Sequence, residues 1–271
     1  DNLSLCVIFT LSKYIQNPSF VHNNLKKIGS ELNPNVSVDC VIFGFDLEKL
    51  TVLVIDRGEI SAEKGPRLAL PGNLIYDNEN LDQAASRVLD ELTGLKDIYL
   101  EQVGAFGDPF RIHKESDREW LKSIRAQPDA RVITVAYFSL VKIEDYLPHA
   151  SSFAKNAGWA PVNELSELAF DHFEILQAAK DKLKQKIKIQ PIGFNLLPEK
   201  FTLSQLHRLY ESILDKPLDK RNFRRKIQKL NILSNLKEKQ RGVPHKPSSL
   251  YEFNEEKYQE LTQKGFDNFG F

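Results

Sequence analysis

Glu79, Arg87 and Glu91 stand out in the stretch LPGNLIYDNENLDQAASRVLDELTGL, Leu70 to Leu95, because a helix there could carry metal chemistry. On a helix, positions i, i+3 and i+4 aim three side chains at one point, and three carboxylates so placed can hold a hard divalent cation rigidly. Here those positions are Val88, Glu91 and Leu92, so only Glu91 offers a ligand. Val88 and Leu92 instead extend an apolar stripe through Leu81, Ala85 and Leu95, the spacing of a buried helix face. The expectation is a helix that packs, with no catalytic residue, no metal and no cofactor. Asp90 and Glu101 are the carboxylates able to rebuild a metal site from other positions.

The spacing resembles a Nudix box: Gly, five residues, Glu, seven residues, then Arg-Glu-apolar-x-Glu-Glu-x-Gly-apolar. In that register the box Gly falls on Asn73, its first Glu on Glu79, its Arg on Arg87, and its closing Gly-apolar pair on Gly94 and Leu95. The resemblance implies a Nudix-like α/β/α sandwich with a cleft beneath the loop before the helix and beside the strands after it. Arg57, Asn73, Glu91, Glu101 and Arg131 are the polar candidates for lining that cleft and binding a small-molecule effector.

The elements that must position these residues are legible as strands and helices. VSVDCVIFGF from Val36 and TVLVIDR from Thr51 are rich in β-branched residues and separated by a turn-like DLEKL. Tyr99–Phe106, Arg131–Val141 and a short stretch near Trp159 are further strand candidates. Asp171 is placed to N-cap a helix from His172 to about Lys186. Asp108 to Ala130 reads as an insertion whose SDREWLKSIR core forms about two helical turns capped by Ser116; it is either a lid or a surface decoration. The segment QPIGF marks a boundary. The expected units are a 1–35 extension of unassigned role, a Nudix-like domain over 36–190 and a second module over 191–271.

Composition bounds the class. The chain of 271 residues is 41% hydrophobic, enough for real cores in one large or two modest domains. No apolar run is long enough to span a membrane, and Leu3 to Leu11 lacks the basic flank and cleavage site of a signal peptide, so the cytoplasm is the expected location. Cys6 and Cys40 have no metal-ligand spacing and read as small buried side chains in a reducing compartment. The zero net charge hides an asymmetry: Pro198–Ser249 holds thirteen Lys and Arg against five Asp and Glu, a basic module on an acidic body. Such a split points to a polyanion as partner.

The basic module reads as a winged helix-turn-helix. Leu203, Leu206, Tyr210 and Ile213 recur at helical spacing after Thr202, a candidate N-cap. A second helix, from about Lys220 to Asn231, carries Phe223, Ile227 and Leu230 on one side and Lys220, Arg221, Arg224, Arg225 and Gln228 on the other. Two short strands then flank a basic hairpin. This is the footprint of a helix entering the major groove of double-stranded DNA while a wing grips phosphates. Asn222 and the arginines are placed to reach base edges; Lys237, Lys239, Arg241 and Lys246 suit the backbone.

Together LPGN, RVLDELTGL, YLEQVGAFGDP, RVITVAYFSL, LAFDH and GFNLLPEKFTLSQLHRLYESILDKPLDKRNFRRKI resemble the Nudix-related bacterial transcriptional regulators, from about Val38 to Phe253. The resemblance implies a homodimer on a palindromic operator, and an effector that is ADP-ribose in one branch and arabinose in another. RVLDELTGL and EQVGAFGD look closer to the sugar-utilisation branch. The expected function is a regulator whose Nudix-like domain senses a sugar or sugar nucleotide. The competing class is a hydrolase of ADP-ribose or a related pyrophosphate.

Overall fold

Strand β1, Leu32–Phe45, organises the first module because both of its faces are buried beyond Val38 and, Asp39 apart, apolar. The structure, a computed structural model, describes residues 31–58, 67–146, 156–244 and 246–265. Cys6 and nearly all of the 1–35 extension lie outside the described residues. The strand starts earlier than its sequence suggests: Leu32 already pairs with Tyr76, and an irregularity separates it from the regular register at Ser37.

Around β1 stand β2 (Leu50–Asp56), β3 (Leu68–Ala69), β4 (Gly72–Tyr76), β5 (Glu101–Phe106), β6 (Ile133–Leu140) and β7 (Asn156–Pro161). The path runs β3-β2-β1-β6-β5, with β7 on β2; β1 and β6 are parallel and the other pairings antiparallel. One edge of β1 is shared. Its Ser37–Asp39 stretch pairs with β4, while Phe43–Phe45 pairs with β2. Between them the Cys40 amide donates to the Pro71 carbonyl at 2.8 Å. The edge therefore forks at Asp39.

Helix α1, Leu81–Thr93, covers one face of the sheet. Asn80 and Gln83 form a reciprocal capping box, and Gly94 ends the helix in the left-handed region at φ 74°, where a Cβ would be strained. Val88 and Leu92 pack in a core with Val38, Cys40 and Ile42. The opposite face of β1, with Val41, Phe43 and Phe45, packs against Ile175, Leu176, Ala179 and Leu183 of helix α3, His172–Ile189. Helix α2, Glu115–Ile124, lies within the insertion. Ser116 does not cap it: Lys114 holds the cap position, and the Ser116 hydroxyl is buried in the first turn with no hydrogen-bond partner among the described residues.

A short 3-10 stretch, Pro191–Leu196, leads into α4 (Leu203–Leu214) and α5 (Lys220–Leu230). Thr202 caps α4 as expected, in a reciprocal box with Gln205. Phe223 of α5 meets Tyr210 and His207 edge-on at centroid distances of 5.4 and 5.0 Å, which fixes the angle between the helices. The wing is β8 (Leu233–Lys239) paired with β9 (Ser249–Phe253), followed by α6 (Glu255–Gln263), an element absent from the sequence reading. The core of α3 continues without a break into Ile192, Leu206 and Phe223. None of the described helices is long and apolar enough to cross a membrane.

Candidate functional site

The fork in the β1 edge leaves a cleft whose floor is Asp39, and the sequence supplies the space: a Cβ on Gly72 would sit 1.8 Å from Asp39 Oδ1. Asp39 is almost completely buried, so its carboxylate must be compensated. His172, the first residue of α3, does this in part. Its Nδ1 accepts the Leu70 amide at 2.9 Å, which leaves the proton on Nε2, 3.3 Å from Asp39 Oδ1. Burial works to raise the Asp39 pKa, but the His172 side chain and the Arg111 guanidinium outweigh it and hold the carboxyl well below its usual range.

The insertion supplies part of the remaining wall, through Arg111, Ile112, Trp120, Ile124 and Arg125. Arg111 forks onto Asp171 at 2.8 and 2.7 Å and reaches Asp39 at 3.5 Å. Asp171 holds the N-cap position of α3 as expected, but it gives its side chain to this pair and makes no side-chain cap hydrogen bond. Asp117 of α2 pairs with Arg57 at 2.8 Å and accepts the Phe170 amide at 2.9 Å. The Arg57 guanidinium also lies against the adjacent rings of Trp120 and Phe170, each centroid 5.1 Å away. Arg125, at the end of α2, also lines the cleft beside Asn73, Ile124, Val132 and His172. With these side chains in place, the free volume of the cleft is about 30 Å³. The insertion is therefore a cover over the cleft, not a surface decoration.

The five expected lining residues separate. Asn73 lines the cleft. Arg57 lies behind its wall, committed to Asp117. Glu91 belongs to a brace: Arg87 binds Glu79 through Nε and Nη2, Glu91 through Nη1 at 2.8 Å and the Leu74 carbonyl at 3.0 Å, and stacks 4.3 Å over Tyr76. Glu79, Arg87 and Glu91 thus pin the loop before α1. Glu101 pairs with Lys182 and Lys186 of α3 and borders a separate cavity of about 260 Å³. Arg131 is exposed and donates to the Gly107 carbonyl at 3.2 Å.

Asp90, the other carboxylate considered for metal, faces Lys96 at 3.3 Å. Among the described residues no cluster of three or more His, Cys, Asp or Glu is arranged to hold a metal ion. Cys40 is a buried thiol, with its pKa raised by burial. Asp39, Arg111, Arg125 and His172 were missed by the sequence reading; the available signal was Asp39, a lone carboxylate inside an apolar strand run.

The second site is the outer face of α5. Lys220, Arg221, Arg224, Arg225 and Gln228 line a groove of about 440 Å³, while Phe223 and Ile227 point into the core. Asp219 caps the helix through the Asn222 amide at 2.7 Å. Arg225 donates to the Asn222 side chain at 2.8 Å, and Arg224 to Ser204 at 3.2 Å, which orients both guanidiniums. On the wing, Lys239, Arg241 and Lys246 are exposed. Lys237 takes a left-handed φ of 57° beside the irregularity between Asn235 and Lys239, with its amide held by Asn235 at 2.8 Å.

A helix-covered sheet with a polar cleft at its box loop, continued by a winged helix with a basic face, defines a Nudix-fold protein with an appended DNA-binding module. The NUDIX domain model matches residues 33–179, and the NrtR DNA-binding winged helix domain model matches 193–253. The chain is 30% identical over 225 residues, 82% of each chain, to the ADPR responsive transcriptional repressor NtrR of Acinetobacter baylyi. It is 31% identical over 163 residues to the ADP-ribose pyrophosphatase of Methanocaldococcus jannaschii, spanning 60% of this chain and 81% of that protein. Shewanella oneidensis NrtR, crystallised with a 27mer DNA, superposes with a TM-score of 0.58 at 26% identity, covering 83% of this chain and 95% of its own. This chain belongs to the family of Nudix-domain proteins that carry an NrtR-type winged helix.

Proposed function

We propose that this protein is a transcriptional repressor that binds operator DNA through α5 and the β8–β9 wing and is governed by ADP-ribose in the cleft around Asp39. The observation that carries the reading is the union on one chain of a polar cleft at the box loop and a basic groove on α5, in the domain order of the Acinetobacter baylyi repressor. One relative is named as ADPR responsive and the other as an ADP-ribose pyrophosphatase, so ADP-ribose replaces arabinose as the favoured effector. The effector unit spans 36–190 and the DNA unit 191–271; the working form is a homodimer with one winged helix per operator half-site.

Hydrolysis is not part of this reading, because Val88 and Leu92 fill the core where metal-bearing carboxylates would stand and Glu91 is held by Arg87. The hydrolase alternative draws on the pyrophosphatase relative. One experiment separates them. Calorimetry with ADP-ribose, with and without operator, is expected to show ligand binding weakened by DNA, and DNA binding weakened by ligand by the same factor. Equal ligand affinity in both conditions would mean that the cleft is not the sensor, and Mg²⁺-dependent turnover of ADP-ribose lost in Glu91→Gln would favour the enzyme.

A further inference from the structure

We infer that Arg125, contributed by the insertion helix α2, is the residue that recognises the diphosphate of the ligand held in the Asp39 cleft. The inference rests on the cleft being the effector site, and it names the part of the ligand that the insertion reads.

Two guanidiniums, of Arg111 and Arg125, line this cleft with the Asp39 carboxylate, and a third, of Arg57, lies behind its wall, but the three are not equivalent. Arg57 is committed to Asp117, and Arg111 to Asp171 and Asp39. Arg125 lines the same cleft, and its Nε is buried without a hydrogen-bond partner among the described residues. Among the described residues no carboxylate lies within ion-pair distance of it; Asp39 compensates its charge only from farther away. Burial, opposed by Asp39 and reinforced by Arg111, pushes its pKa down to about 10, so it remains a cation. A planar guanidinium with its donors unspent is suited to phosphate oxygens, which it can bind in bidentate fashion.

The location also fits the space. The free volume of about 30 Å³ in the cleft holds roughly two waters, whereas a nucleotide-sized ligand needs a few hundred cubic ångströms. Admission therefore requires part of the cover to move. Arg125 is half-buried at the last turn of α2, beyond the Asp117 latch, so it can swing outward without breaking the Arg57 pair. The ligand would take the place of its side chain and become its partner.

The test is titration of the full chain with ADP-ribose and, separately, with inorganic pyrophosphate. Arg224→Ala/Arg225→Ala serves as the parent, so that anions bound on α5 do not register. Arg125→Gln is expected to weaken both ligands about tenfold or more, the loss of a charge-assisted hydrogen bond, with Arg125→Lys recovering part of it. Its melting temperature should not fall, because no partner is left unpaired. ADP-ribose affinity within about twofold of the parent overturns the assignment while leaving the effector reading intact. Pyrophosphate binding that needs Arg125, without any ADP-ribose binding, keeps the assignment and removes the effector. A parent that binds neither diphosphate overturns both.

Discussion

Lys180 Nζ lies 2.7 Å from Asp215 Oδ1, so the helix that begins at the cleft is ion-paired to the C-terminal cap of the first winged-helix element. Lys184 reaches the other oxygen of Asp215, also at 2.7 Å. Asp215 sits at φ 52°, a left-handed conformation that Asp and Asn tolerate better than most residues. Burial alone would raise its pKa, but the hydrogen bonds from Lys180 and Lys184 lower it.

Asp215→Asn keeps the backbone geometry and removes the charge. Because Asp215 is about half exposed, the expected stability loss is about 1 kcal/mol, read by urea unfolding. The sharper expectation concerns coupling: the factor by which ADP-ribose weakens operator binding should shrink in this variant. An unchanged coupling factor would show that the Lys180–Asp215 contact is a brace and not a connection between sites.

Gly72→Ala tests the floor of the cleft. The added methyl would stand 1.8 Å from Asp39 Oδ1 and 3.0 Å from the Val38 carbonyl, so the carboxylate must leave His172. A destabilisation of about 1–3 kcal/mol is expected, with loss of ligand-induced thermal stabilisation. A variant as stable as wild type would mean that the fork is wider than described.

The Asp39 carboxyl gives a pH signature. Its folded pKa is depressed, so the stabilisation is present in full above the ordinary value of 3.8 and is lost as pH falls from there toward the folded value. Asp39→Asn should therefore be less stable than wild type by a constant margin at neutral pH, a margin that narrows below about pH 4. Unfolding free energies of the two proteins across the acid range check this. A gap that widens on acidification contradicts it.

On the DNA face, Arg224→Ala or Arg225→Ala is expected to weaken operator binding by about 1–3 kcal/mol if the side chain reads a base. Lys239→Ala should mainly reduce the salt slope by about one unit. Fluorescence anisotropy at several salt concentrations distinguishes the two. Wild-type affinity in the Arg224/Arg225 double variant would exclude α5 as the reader.

The elements were legible where the signal is local. Thr202 and Gln205 cap α4 from adjacent sequence, and the apolar spacing of Phe223 and Ile227 sets which face of α5 is outward. Helix α6 was not legible, because EEKYQELTQ buries only Tyr258 and has no apolar stripe to detect. The cleft was legible in outline, through Asn73 and the box loop. Its charges were not, because Asp39, Arg111 and His172 are brought together from β1, the insertion and α3 by sheet topology, across separations of 60 residues and more. Arg57 was picked for its type and proximity, but its pairing with Asp117 depends on how the insertion folds back.

Helix α3 has 18 residues, a rigid rod of about 27 Å at ~1.5 Å per residue. One end is His172 at the cleft, and the other packs through Ile187 against the segment that enters the winged helix. The rod has mechanical advantage: a tilt of about 5° about its first turn carries its last turn sideways by about 2 Å. That is on the scale of the helix shifts by which switching interfaces change state, about 1–2 Å. A change at the Asp39 end that tilts the rod by this much is thus geometrically sufficient to reset the spacing of whatever is bolted to the far end.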